Sequence, residues 1–149
     1  MSVRFRLAVI DDVPALIWLA EQWLCPLWEP RIKEEILRTI IRSAEKTGWT
    51  QHIIYVAELD DRIVGFIDFL QWQDWLTNQN KVMIQHVYMD ENYRHRGIGT
   101  MLITHILGIY KPDFAFVDTK PDKFPNAQSL YEKVGLKENP RRIWLERYR

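Results

Sequence analysis

Two glycines separated by one residue, directly behind two arginines and directly ahead of an apolar-periodic run, constrain this chain more than any other stretch of it. The segment is Arg94-His95-Arg96-Gly97-Ile98-Gly99, and Ile98, Met101, Leu102, His105, Ile106 and Ile109 fall on one face at helical spacing. A helix starting here aims its unpaired N–H groups and the positive end of its dipole at whatever precedes it. Glycine allows close backbone approach and positive φ. The combination predicts an anion cradle, against the plainer reading of a strand-to-helix turn with solvated arginines.

The bulk properties bound what that cradle can serve. At 149 residues the chain is expected to form one domain, residues 1–149, with a sizeable core. Its 20 basic and 20 acidic side chains cancel, so an anion site must be local, and neither nucleic acid nor a membrane surface is expected as partner. Cys25 is the single cysteine and sits in the apolar run Trp23-Leu24-Cys25-Pro26-Leu27, which suits packing. No apolar run nears membrane-spanning length and no signal-peptide core follows the N-terminus, so the expected location is the cytoplasm. No metal is expected. The 7 tryptophans are many for this length, and several fall where loops are expected, as if lining a binding surface.

Taken in order, residues 3–10 read as a strand, and Asp11 or Asp12 caps a helix with Val13, Leu16, Ile17, Ala20 and Leu24 on one face. Residues 31–46 form a second amphipathic helix with Ile32, Ile36, Ile40 and Ala44 on its stripe. Residues 52–59 and 63–70 make a hairpin around Asp60-Asp61-Arg62, with Gly65 marking a bulge, a close backbone neighbour or a glycine merely tolerated in the strand. Residues 71–80 read as a loop near a mouth. A strand at 81–89 leads into the cradle and its helix, which Pro112 stops. His105 on that helix reads as a packed core histidine. A short strand at 113–118, a helix capped by Asn126 and ended by Gly135, and a last strand at 143–146 complete a mixed α/β layer fold.

Two familiar phosphate sites fail at this cradle. A mononucleotide loop needs a lysine after its second glycine, and Gly99 is followed by Thr100-Met101; a dinucleotide fingerprint needs a third glycine where Leu102 stands. What remains resembles the Gcn5-related N-acetyltransferase superfamily. Its Arg/Gln-x-x-Gly-x-Gly/Ala motif matches Arg94, Gly97 and Gly99. The strand Ile84-Gln85-His86-Val87-Tyr88-Met89 with Asn92-Tyr93-Arg94 looks like its fourth strand and lead-in, and Ala127 through Tyr131 to Gly135-Leu136 looks like its second conserved block. The order of elements agrees along essentially the whole chain.

The resemblance implies an α/β fold with a mixed, mostly antiparallel sheet and helices on both faces. It implies a bulge near Val87 to Met89 that splays this strand from the one at 113–118, and acetyl-CoA in the wedge. The pantetheine arm would pair with backbone at Val87, Tyr88 and Met89. The pyrophosphate would lie over Arg96, Gly97, Ile98, Gly99 and Thr100, flanked by Arg94 and His95. By resemblance, Tyr131 is the general acid for the leaving thiolate, and a backbone N–H near Met89 is the oxyanion donor. Family members often carry an acidic base where Gln85 and His86 stand. Gln85 takes no proton at neutral pH, so the candidates are His86, Glu58 on the facing hairpin, or a relayed water. The family's asparagine usually sits seven residues before the tyrosine, where this chain has Phe124; Asn126, five before, is the stand-in and also suits a helix cap.

The acceptor amine is expected between the loop around Trp28 and the segment with Trp72, Asp74 and Trp75, where aromatics and a carboxylate suit a cation. The alternative for these tryptophans is the core edge or a homodimer contact. The function expected is acetyl transfer to a primary amine of a small molecule or peptide by direct attack; the alternative is a non-catalytic acetyl-CoA sensor of the same fold, motivated by the missing strand carboxylate.

Overall fold

The computed structural model describes residues 2–23, 30–44, 50–117 and 125–137, with the side chains of residues 23, 30–33 and 125–128 left aside. The chain runs β1 (Val3–Leu7), a short 3-10 turn, α1 (Val13–Trp23), α2 (Pro30–Ser43), β2 (Thr50–Leu59), β3 (Arg62–Gln73) and β4 (Asn80–Met89). It continues through α3 (Ile98–Tyr110), β5 (Phe114–Val117) and α4 (Pro125–Lys133). The strands form one sheet in the order β1-β2-β3-β4-β5. The first four pair antiparallel and β5 pairs parallel to β4, with α3 as the crossover that a parallel connection requires. The final strand expected at 143–146 and the run around Cys25 lie outside the described residues.

Each helical layer covers one face of this sheet. On one side Ile53, Ala57, Ile67, Phe69, Val82 and Ile84 meet Ile98, Leu102, Ile103 and Ile106 of α3 and Tyr131 of α4. On the other, Ile54 and Val56 meet Val13 and Leu16 of α1 and Ile41 of α2. Burying each such aliphatic side chain stabilises by about 1.5–3 kcal/mol, so the sheet is clamped from both faces. His105 packs among rings as expected, 5.2 Å from Phe5 and 6.1 Å from Tyr55 between centroids.

Three expectations need correction. The stripe on α2 is rotated: Leu37, Ile40 and Ile41 pack inward, while Ile36 is 53% exposed. Gln71, Trp72 and Gln73 belong to β3, because Trp72 pairs with Thr50 on one side and Lys81 on the other, so the loop shrinks to residues 74–79. The bulge in β4 lies at Gln85 and not at Val87 to Met89. Asp68 pairs His86 and Phe69 pairs Ile84, leaving Gln85 as the extra residue, whereas Val87, Tyr88 and Met89 pair regularly with Ile67, Phe66 and Gly65.

Gly65 is fixed by its neighbours. A Cβ there would run into the Met89 side chain and come within 2.8 Å of the Tyr88 carbonyl oxygen. The turn between β2 and β3 uses Asp60 and Asp61 at φ 51° and 61°, the left-handed pair that matches hairpin twist.

Candidate active site

The bulge at Gln85 sets the site. Below it, Lys81 to Ile84 pair with Phe114 to Val117 of β5; above it, among the described residues, β4 has no partner on that side. The Asp90 N–H bonds to the Val64 carbonyl, 2.8 Å away across the β3 side. Successive strand N–H groups alternate in direction, so the Met89 N–H points to the open side, as does that of Val87. Arg94 braces this end of the strand: Nε donates to the Met89 carbonyl (3.1 Å), Nη2 donates to the Tyr88 hydroxyl (2.7 Å), and the guanidinium lies 5.1 Å from the Tyr88 ring centre.

The cradle follows directly. His95 takes φ 62° and Gly97 φ 79°, and the chain turns there into α3. The Met101 N–H is the first to be bonded within the helix, to the Gly97 carbonyl at 3.0 Å, so Ile98, Gly99 and Thr100 present N–H groups that helix geometry leaves without an internal acceptor. Gly97 needs its positive φ. Gly99 has room for a Cβ, which would sit at ordinary contact distance, 3.6 Å from Leu130 and 3.7 Å from Met89. Arg96 donates to the Asn92 carbonyl at 3.1 Å and stacks over Tyr93. The arginines therefore bond and stack onto the turn itself, and the helix N-terminus presents backbone N–H groups.

His86 projects from β4 just past the bulge and meets a residue that sequence reasoning missed. Asp68, directly opposite on β3 and only 8% exposed, lies 2.7 Å through Oδ1 from His86 Nδ1 and 2.8 Å through Oδ2 from His52 Nε2. Burial pushes the Asp68 carboxyl up, but the bonds from His52 and His86 outweigh it and hold the group below its ordinary value. An ionised carboxylate only accepts, so both imidazoles donate to it. The neutral His86 ring then carries its lone pair on Nε2. The bond from Asp68 raises the His86 pKa despite partial burial. One signal for Asp68 was present in the sequence: a carboxylate inside Phe66-Ile67-Asp68-Phe69-Leu70 cannot be buried without donors.

Tyr131 of α4 is buried and packs on the α3 side. Burial first, and the negative charge of Asp68 second, push its phenol up to about 12. That coupling puts the Tyr131 hydroxyl within electrostatic reach of the Asp68 carboxylate. Glu58 is removed from the site. Arg6 holds it at 3.3 Å, and it lies six residues along β2 from His52, about 20 Å at strand spacing.

Trp72, Asp74 and Trp75 line, with Thr50 and Gln73, a hollow of about 290 Å³. Asp74 is already committed there. Lys81 bonds it at 2.8 Å and the Leu76 and Thr77 N–H groups cap onto it, which lowers its pKa to about 2, with Lys81 the main cause. Trp75 is 85% exposed at the turn, and Trp72 stands edge-on to Phe116 with centroids 5.7 Å apart. Trp28 lies outside the described residues, as does the side chain of Asn126.

The sequence model of the acetyltransferase (GNAT) family matches residues 17–136. No curated protein matches the sequence. Solved structures similar in fold include a possible acetyltransferase from Clostridium difficile 630, with 18% identity, 99% of each chain covered and a TM-score of 0.80. An aminoglycoside acetyltransferase from an uncultured soil metagenomic sample shares 18% identity over 98% of this chain and 95% of its own, with a TM-score of 0.75. An aminoglycoside N-acetyltransferase solved in complex with CoA gives the same identity, coverage and score.

Proposed function

The chain belongs to the acetyltransferase (GNAT) family, and from that premise we propose that it moves an acetyl group from acetyl-CoA to a primary amine by direct attack in a ternary complex. The observation that carries the reading is the Asp68–His86 pair at the bulge, beside a stretch of β4 with no β5 partner among the described residues and a helix N-terminus whose first N–H groups have no intrahelical acceptor. The donors of Ile98, Gly99 and Thr100 suit a pyrophosphate, with His95 and Arg96 flanking it and Asn126 nearby in sequence to the acid candidate. The backbone of Val87, Tyr88 and Met89 suits an amide-bearing arm that adds alongside β4.

Acetyl-CoA supplies a thioester carbonyl and a thiolate leaving group. The outward Met89 N–H is the donor for the developing oxyanion. His86 takes the proton of the incoming amine at Nε2, and Asp68 stabilises the imidazolium through Nδ1 while holding the ring's tautomer. Tyr131 remains a protonated phenol at working pH. Its raised pKa makes outright transfer of that proton to the departing thiolate unfavourable. Its role is therefore a hydrogen bond to the departing sulfur, and the proton that ends there is the one His86 removed. Asp68 also supplies the carboxylate whose absence from β4 motivated the sensor reading.

Asp68, Leu70 and Trp72 alternate onto one face of β3, with His52 and Thr50 beside them on β2. Trp72 lies four residues from Asp68, about 13 Å along the strand. An extended acceptor fits this floor: its amine at His86 and its far end on Trp72 and Trp75. An aminoglycoside, the acceptor named for two of the similar structures, or a peptide N-terminus has that reach. The test is thiol release from acetyl-CoA over polyamines, aminoglycosides and peptides. Turnover with at least one class supports the reading; acetyl-CoA binding with no turnover on any of them leaves the sensor.

A further inference from the structure

We propose that His52 is a positioning residue: from β2 it holds the Asp68 carboxylate in the orientation that engages Nδ1 of His86. This rests on the acetyl-transfer reading and deepens it. The three residues come from three adjacent strands. His86 stands directly opposite Asp68, and His52, opposite Leu70, reaches Asp68 on the diagonal. A carboxylate held on one oxygen alone turns about its terminal torsion, which is broad and soft. Held on both, at 2.7 Å and 2.8 Å, it is fixed in the plane that His86 needs. The rigid sheet supplies both anchors.

His52 has a second consequence. Asp68 is almost fully buried, and without His52 its Oδ2 would lose its donor among the described residues. The carboxylate's charge would then fall on His86 undivided and hold the imidazolium too tightly. His86 must lose that proton once per turnover, so dividing the charge between two rings keeps the base able to cycle. Among the described residues the titratable groups acting on or felt by Asp68 are His52 from β2, His86 from β4 and Tyr131 from α4.

The proposal is tested on the full chain by NMR titration of the His86 ring together with the pH profile of thiol release. His52→Leu removes the donor, and His52→Gln keeps an N–H at the Nε2 position. In His52→Leu the His86 titration and the ascending limb of kcat/KM move to higher pH. The neutral-pH rate falls on the order of tenfold, the factor one charge-assisted hydrogen bond carries. His52→Gln restores both. If leucine disrupts folding, His52→Asn, whose amide stops short at the Nδ1 position, takes its place. A His86 titration that is the same in wild type and both variants overturns the proposal, as does an equal loss of rate in both with His86 unmoved. A wild-type protein that acetylates no amine sinks the acetyl-transfer reading alone; the His86 titration still decides whether His52 acts through Asp68.

Discussion

Asp68→Asn isolates the charge at the centre of the site while keeping its shape. The amide fills the same space between the two imidazoles and can still offer one oxygen, so the sheet need not repack. What disappears is the charge-assisted character of the bonds at 2.7 Å and 2.8 Å. A hydrogen bond to a charged group contributes about 1.5–3 kcal/mol and a neutral one about 0.5–1.5, so the imidazolium forming on His86 loses about 1–1.5 kcal/mol of support. At 1.36 kcal/mol per decade the plateau rate falls roughly tenfold. The shift in pH dependence is the sharper readout. Asp68 raises the His86 pKa and burial lowers it, so with the charge gone burial remains and the ascending limb moves to lower pH.

Stability obeys the same linkage. The lowered Asp68 pKa contributes stability that is present above its unfolded value, about 3.9, and lost as pH falls through the folded one. The raised His86 pKa contributes stability that is full below about 6.5 and lost as pH rises through the folded value. The difference between wild type and Asp68→Asn, followed by thermal unfolding across pH, therefore peaks at about pH 5–6 and shrinks on both sides. An ascending limb that stays in place or moves up, with a flat stability difference, refutes the coupling of these two side chains.

Other consequences are narrower. Tyr131→Phe slows turnover while calorimetry finds acetyl-CoA affinity nearly intact; equal activity would take Tyr131 out of the chemistry. Gly97→Val forces a β-branched residue to φ 79°, so it destabilises by roughly 1–3 kcal/mol in chemical denaturation and weakens acetyl-CoA binding. Gly99→Ala, by contrast, meets only ordinary contacts at 3.6 Å and 3.7 Å and leaves the fold intact. Gly65→Ala drives a methyl group into Met89 and the Tyr88 carbonyl, with a loss of about 1–3 kcal/mol; wild-type stability in this variant would contradict the packing described. Trp72→Ala raises KM for the acceptor and leaves KM for acetyl-CoA unchanged, and the reverse pattern would put Trp72 in the other site.

What could be read from the chain alone was whatever local chemistry dictates. Arg94 to Gly99 announced a helix start needing positive φ, Asp60-Asp61 announced a hairpin turn, and Gly135, at φ 91°, ended α4 as its sequence suggested. His86 was reachable too, since few side chains titrate near neutrality. Its partner was not. Asp68 lies 18 residues from His86 and 16 from His52, inside an apolar strand, and only register brings them together. That register turns on one extra residue, Gln85, whose bulge no local pattern marks. Asp74 shows the same limit from the other side: its ion pair with Lys81, seven residues on and across the β3–β4 turn, was not visible in its type and neighbours. Arg94 likewise makes contacts that the motif alone did not announce, bonding the Met89 carbonyl and the Tyr88 hydroxyl.

The most direct test of the account is a paired measurement on His86→Gln: the rate of acetyl-CoA thiol release with an accepted amine, and acetyl-CoA affinity by calorimetry on the same sample. General-base catalysis contributes typically 10²–10⁴-fold, so turnover should fall by about 10² or more while affinity stays within about twofold, since the cradle at Ile98 to Thr100 is untouched. Turnover within a few-fold of wild type in a folded, acetyl-CoA-binding His86→Gln would contradict the claim that the Asp68–His86 pair is the base.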